Sequence, residues 1–409
     1  MEWVHGEGQV ETGIVVPKLC EITGIDSWPQ PFDEPQWLEV SGQSVPLFFN
    51  QKPNGPLFNI EGNRLQFHVD WMTECFFWLS GAAELIHGSK DAMGRYKYAG
   101  SLIEKHQLAA TPIVNLWFKI LVDAMKEMGQ VLESKWTPSI LLSHDIDLIH
   151  KGWKEDAFFA LKQGRLLASI KTVLKGFSSG HWNNLKSMHH ALMQRGIQSS
   201  FYFITEQGQH GPVENADYSL EEISEEMAYL KENGAEVGLH ATNEAHLAEK
   251  ALLQQKEKIS GPILGGRYHY LRYDPYLSPS VLNAVGLTYD SSVGFAEQIG
   301  FRSLCCTPYF LFDWKRLRTT NVIEFPLVIM DRTLAGKQYM NLSPVQAESE
   351  SIALFNQWKH LHPAMGLLWH NNYFTDLKYG VWAKMFWRML SALQGRFKIL
   401  SHQAFLNQL

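Results

Sequence analysis

Residues 139–150, SILLSHDIDLIH, constrain this chain more than any other stretch. The apolar run from Ile140 to Leu142 has the composition of a strand buried on both faces, and Asp145 and Asp147 follow at once, where such a strand ends. In α/β folds ligands gather outside the carboxyl ends of the strands, so two acids at this point stand where chemistry is usually done. Spacing by two on an extended segment turns both carboxylates to the same side. Carboxylates held so close repel each other. A cation between them, or a proton-transfer role for one of them, accounts for the pair; the alternative is an Asp-rich turn that caps the next helix.

From residue 139 onward, strand and helix patterns alternate. Residues 199–205 (SSFYFIT), 235–240 (AEVGLH), 268–272, 322–330 (VIEFPLVIM), 365–370 (MGLLWH) and 397–401 read as further strands. Residues 219–233, 244–259, 343–360 and 379–393 read as helices among them. The alternation predicts an α/β fold, a distorted (β/α) barrel of about seven parallel strands spanning 139–409. Residues 1–138 read instead as short strands up to Asp70, then helices at 71–86 and 111–128 around the polar loop KDAMGRYKYAGS. They predict a smaller accessory α+β domain without a catalytic cluster, and a length of 409 residues also favours two domains.

Composition narrows the function classes. Hydrophobic residues at 45% and charged residues at 19% describe a packed globular protein. A net charge of -6, with no Lys/Arg cluster interleaved with aromatics, argues against a nucleic-acid partner. Fourteen Trp, 14 Tyr and 23 Phe suit stacking on sugar rings and suit a large core equally. Cys20, Cys75, Cys305 and Cys306 lack zinc-type spacing, which points to reduced thiols. With Met1 taken as the native start, the first residues lack the basic and apolar regions of a signal peptide, and no apolar run reaches membrane-spanning length. The expectation is a cytoplasmic protein with no membrane span.

Several predicted strands end in ionisable groups: Asp145 and Asp147; His240; Arg267, His269 and Arg272; and His370. In a parallel barrel these ends converge on one face. The segments SHDID (143–147), HATNE (240–244), RYHY (267–270), YDSS (289–292) and LLWHN (367–371) together resemble, in order and spacing, the motifs of the polysaccharide deacetylase (NodB-homology, carbohydrate esterase) family. The resemblance covers residues 139–409. It implies hydrolysis of an acetyl group on a sugar, assisted by a divalent metal, usually zinc, held by one Asp and two His. By position, Asp145 resembles the general base, Asp147 and His240 metal ligands, Arg267 the residue that orients the base, and His370 the general acid. Asp290 resembles the partner that keeps such a His charged. Arg272, Tyr270, Trp369 and Asn371 lie beside these motifs and are expected to contact the carbohydrate substrate.

The sequence departs from the family pattern at the second metal His, where Glu244 stands, and after the final His, where Asn371 replaces Pro. If 244–259 is helical, Glu244 lies about one turn from His240 and offers a third ligand. The alternatives are His269, His246, or no metal. Asp331, after the EFPLVIM run, reads as a rim residue. The expected function is a metal-dependent de-N-acetylase acting on a sugar or polysaccharide precursor, lipid- or nucleotide-linked. The alternatives are a deacetylase-fold glycan-binding protein without activity and a hydrolase of another C–N amide bond.

Overall fold

The computed structural model describes residues 2–5, 13–40, 42–176, 182–375 and 377–409. At its centre is a ten-stranded sheet. Neighbouring strands run in the order Tyr309–Asp313, Arg318–Glu324, Tyr289–Asp290, Gly265–Tyr268, Glu236–Ala241, Ser200–Phe203, Ser139–Ile146, Ala364–Leu368 and Leu327–Met330, and Lys398–Leu400 pairs with the lower half of Ser139–Ile146. Every pairing is parallel except that of Tyr309–Asp313 with Arg318–Glu324. The architecture is thus a largely parallel α/β sheet of the kind the alternation predicts.

The strand count exceeds the seven read from the sequence for local reasons. Residues 322–330 form two strands because Pro326 cannot donate to the ladder, and Phe325–Pro326 turns the chain between Glu324 and Leu327. Tyr289–Asp290 is too short to show a pattern, and Tyr309–Asp313 forms a hairpin edge outside the strand–helix alternation. The strand expected at 268–272 lies earlier, at Gly265–Tyr268, and gives way to a single 3-10 turn at His269–Leu271. Gly266 is required there, since a Cβ would strike the carbonyl of Leu239 on the neighbouring strand.

All eight residues of Ser139–Ile146 are buried, as a central strand of a parallel sheet demands. The period of two sends Ser143 and Asp145 to one side and His144 to the other, where its Nδ1–H donates to Trp369 O at 2.7 Å and its ring meets Phe201.

The first 138 residues build a four-stranded sheet, a separate hairpin (Gln36–Val40 with Gln43–Leu47) and helices at Trp71–Leu79, Ala82–His87 and Ile113–Glu127. The helix expected at 71–86 breaks at Ser80 and Gly81, where Gly81 takes a left-handed φ of 74°. One contiguous hydrophobic cluster runs from Ile14 through Trp117 to Ile399, so this region and the central sheet share a core. Polar clamps join them as well. Arg302 makes a bidentate pair with Glu84, Nε to Oε1 at 2.7 Å and Nη2 to Oε2 at 2.6 Å, and the guanidinium is buried. Trp314 Nε1 donates to Ser80 O at 2.8 Å, and Trp358 Nε1 donates to Ala110 O at 2.7 Å. Among the described residues, no helix is long and apolar enough to cross a membrane.

Removing one partner of a buried ion pair strands the other charge. Glu84→Ala is therefore expected to lower the unfolding free energy by about 3 to 5 kcal/mol, measured by urea denaturation, with a single transition for the whole chain. Separate transitions for the two regions would contradict the shared core.

Candidate functional site

Six of the side chains singled out in the sequence meet at the carboxyl ends of four parallel strands of the sheet, with Ser200–Phe203 lying between two of them. Asp145 and Asp147 leave Ser139–Ile146, His240 leaves Glu236–Ala241, Arg267 and His269 leave Gly265–Tyr268, and His370 follows Ala364–Leu368. The register explains the convergence: His240 pairs with Arg267, Asp145 with Tyr202, and Leu368 with Ser143.

Arg267 is almost wholly buried and fully engaged. Its Nη1 donates to Asp145 Oδ1 and to Ser143 Oγ, each at 2.9 Å; Nε donates to Ser291 O at 2.6 Å, and Nη2 to Ser291 Oγ at 2.9 Å. The buried carboxylate of Asp145 is thereby held by a charge-assisted hydrogen bond, leaving Oδ2 facing His240 Nε2 at 3.5 Å.

His240 and His269 define the chemistry next to it. His240 Nδ1 lies 2.9 Å from Arg267 O, and His269 Nε2 lies 2.9 Å from Glu214 O. A carbonyl only accepts, so those nitrogens carry the protons. In the neutral rings, the unprotonated nitrogens then face each other, His269 Nδ1 to His240 Nε2, at 3.0 Å. Asp147 Oδ1 stands 3.3 Å from His240 Nε2 and 3.6 Å from His269 Nδ1, buried and with no hydrogen-bond partner. Two lone pairs and an unsatisfied carboxylate oxygen directed at one point fit a cation, and the ligand atoms of Asp147, His240 and His269 lie within 4.8 Å of one another. Burial favours the neutral form of His269 and pushes its pKa down to about 4. Burial opposes charge on Asp147 too, but the rings of His269, His240 and His370 hold its carboxyl far below the usual range.

His370 closes the site. Its Nε2 lies 3.7 Å from Asp147 Oδ2, and Asp331 holds its other side: Nδ1–H donates to Asp331 Oδ1 at 2.7 Å and the backbone N–H to Oδ2 at 2.5 Å. Burial disfavours the imidazolium, yet Asp331 prevails and lifts the His370 pKa to about 9.

Other expected site residues lie elsewhere. Glu244 is exposed and pairs with His210 at 3.1 Å. The helix expected from 244 begins at Glu249, and Asn243 turns the chain with a φ of 54°, so no helical turn puts Glu244 above His240. His246 packs against the Tyr268 ring. Asp290 accepts from Ser292 N–H and Oγ–H behind Arg267, where burial raises its pKa to about 6; Asp331, read as a rim residue, is the His370 partner instead. Arg272 Nη1 donates to Asn243 O at 2.9 Å, Trp369 packs in the core against Phe386, and the Asn371 amide ties Leu148 O to Trp182 O. Of the four substrate residues expected, Tyr270 alone lines the cavity. Tyr270 and Leu271 both take left-handed backbone angles, φ 60° and 57°, a strained turn directly after His269.

The cavity, about 160 Å³, is walled on the far side by residues that sequence reasoning passed over: Arg95 from the N-terminal loop, with Arg332, Tyr339 and Met330. Arg95 could not be found from strand ends, because it reaches the site from a loop 50 residues before the first acid. Asp331 had a signal, its position at the end of an apolar run.

The profile of a family of unknown function (DUF7033) matches residues 16–130. No curated protein matches the sequence. Among solved structures, the chain is similar to a protein described as a polysaccharide deacetylase from Mycobacterium smegmatis (12% identity, 68% of this chain and 91% of that one, TM-score 0.45). It is also similar to Puue allantoinase (9%, 68% and 94%, TM-score 0.42) and to a CE4-family pseudoenzyme from Bacillus anthracis (9%, 67% and 67%, TM-score 0.30). Identity and shape overlap only in part, so the reading of the site rests on its own side chains.

The ligand set is open to direct test. Titration of Zn²⁺ into the protein by calorimetry is expected to show one site, with affinity reduced about 100-fold or more by His269→Ala or Asp147→Ala and unchanged by Glu244→Ala. Loss of binding in Glu244→Ala with retention in His269→Ala would reverse the assignment.

Proposed function

We propose that this chain is a divalent-metal hydrolase that removes an acetyl group from the amide of a sugar. The observation that carries the reading is the placement of an acceptor and a donor in one cavity: Asp145, a carboxylate held by Arg267, and His370, a donor kept charged by Asp331. Binding alone requires neither.

Asp147, His240 and His269 would hold the metal, with zinc the best match to an Asp-His-His set. A divalent ion supplies positive charge that polarises the scissile carbonyl and the attacking water. Asp145 Oδ2, free of the Arg267 contact, accepts the proton of that water, and Arg267 keeps the carboxylate oriented for the transfer. His370 Nε2–H faces the cavity and gives its proton to the departing amine, while Asp331 holds the ring and compensates its charge. The strained turn at Tyr270–Leu271 ends the strand so that His269 stays on the His240 side.

Arg95 and Arg332 favour a substrate with an anionic group near the acetylated sugar, in keeping with a nucleotide- or lipid-linked precursor handled in the cytoplasm. Arg95 is anchored by Asp91 at 2.7 Å, whereas Arg332 has no ion-pair partner among the described residues. Tyr270 and Tyr339 provide flat apolar surface for the ring. In this reading the first 138 residues form an accessory domain that lends Arg95 to the pocket.

Asp145→Asn is expected to lower kcat on an N-acetylated sugar about 100-fold or more with metal content unchanged. Asp331→Asn should lower kcat and move the basic limb of the kcat/KM profile to lower pH, because a raised His370 pKa keeps the acid protonated until the pH climbs through it. Near-normal turnover in Asp145→Asn would sink the assignment of the base. A panel that adds linear and cyclic amides lacking an acetyl group decides between deacetylation and hydrolysis of another C–N bond. For substrate charge, Arg332→Ala should raise KM about tenfold for a phosphorylated N-acetyl sugar and leave KM for its neutral analogue unaltered.

A further inference from the structure

Between the Asp145–Asp147 motif and the next strand of the sheet, the chain inserts a helical hairpin, Trp153–Lys162 followed by Leu166–Gly176. Its polarity is inverted relative to a helix packed on a soluble core. The faces that meet between the two helices are small and partly polar: Ala157, Ala160, Ser169 and Thr172 are buried, and Ser169 Oγ donates to Ala157 O at 2.9 Å. The large apolar side chains point outward. Phe158, Leu161, Leu166, Leu167, Ile170 and Leu174 are all exposed, from 47% for Ile170 to 77% for Leu167. On the second helix, Leu166, Leu167, Ile170 and Leu174 fall within an arc of about 100°, a continuous stripe and not scattered surface leucines.

Charge identifies what would cover this stripe. Residues 151–176 hold six Lys or Arg against two acids, in a chain whose net charge is -6. Lys154, Lys162, Arg165 and Lys171 are exposed beside the leucines, and Lys162 lies over the Phe158 ring at 4.7 Å. Leucines ringed by lysines match the interfacial region of an anionic bilayer, where the apolar face sinks among the acyl chains and the cations stay at the headgroups.

Both feet of the hairpin are pinned at the mouth of the catalytic cavity. Leu148, which lines that cavity, precedes it, and the carboxylate of Asp217 accepts from the N–H groups of Ile149, His150 and Lys151 at 2.7, 2.9 and 2.7 Å. At the far end Trp182 N–H donates to Ile149 O at 2.9 Å, and the Asn371 amide, next to His370, donates to both Leu148 O and Trp182 O.

We infer that the outward face of the 153–176 hairpin docks this protein on the surface of an anionic lipid bilayer, beside the mouth of its active-site cavity, without crossing the membrane. The inference does not depend on the reaction proposed above, since lipid binding is read without turnover.

The test is flotation of the full chain with vesicles of phosphatidylcholine, with and without phosphatidylglycerol. The expected result is co-flotation with the anionic vesicles, roughly tenfold weaker with neutral ones. Leu167→Glu/Leu174→Glu should reduce vesicle binding about tenfold or more with the circular dichroism spectrum unchanged. Should that variant fold poorly, Lys162→Glu/Arg165→Glu, altering only exposed side chains, should abolish the preference for anionic lipid. The inference is overturned if the native protein fails to float with either lipid, or if both variants bind as the native protein does. It is also overturned if sedimentation equilibrium shows a dimer that Leu167→Glu dissociates, which would assign the stripe to a second copy of this chain.

Discussion

A guanidinium buried in the middle of a parallel sheet must be satisfied on every side, and Arg267 sets what surrounds it. Its donors require an acceptor on the adjacent face of the central strand, which Ser143 and Asp145 supply, and two more on the far side, which Ser291 supplies through its carbonyl and hydroxyl. The YDSS segment is therefore the outer wall of the Arg267 pocket: Ser291 binds the guanidinium, and Ser292 receives the backbone N–H of Tyr268 at 2.9 Å. Desolvating this charge is costly, and the return is an Asp145 carboxylate held in one orientation.

The second constraint is the mutual approach of His240 and His269. Each ring has one nitrogen committed to a backbone carbonyl, so in the neutral rings the remaining lone pairs face each other and Asp147 Oδ1. Such an arrangement is unfavourable as it stands and becomes favourable around a positive ion, the logic of second-shell carbonyls fixing metal-binding tautomers. The Tyr270–Leu271 strain belongs to the same economy: a backbone in two consecutive left-handed conformations persists only where surrounding contacts over-determine it.

The region before residue 139 is joined to the sheet through shared apolar packing and through buried polar contacts such as Glu84 with Arg302. Its loop brings Arg95 to the cavity wall, anchored by Asp91 through Nε at 2.7 Å. The 153–176 hairpin follows Leu148, another residue of the cavity wall, a few positions after Asp147. The cavity wall thus draws on an N-terminal loop that shares no local sequence pattern with the strands below it.

Several features were legible in the sequence because they depend on local periodicity. An apolar run followed by D-x-D specifies a buried strand whose end carries two acids on one side, and AEVGLH and MGLLWH specify strands ending in His, since strand alternation and burial are properties of a few consecutive residues. Other features depended on register between distant segments. Helical spacing made Glu244 a candidate ligand, but a left-handed Asn243 delays the helix, while the neighbouring strand brings His269 to within 3.0 Å of His240. Asp290 ends one strand and Asp331 follows another, and only the packing order of those strands decided that Asp331 reaches His370 while Asp290 stays behind Arg267. The sequence by itself determined the alternating α/β framework and the acids and histidines that end its strands. Tertiary structure alone decided which of them meet, because pairing across a sheet is set by strand order and register, which no short window of residues encodes.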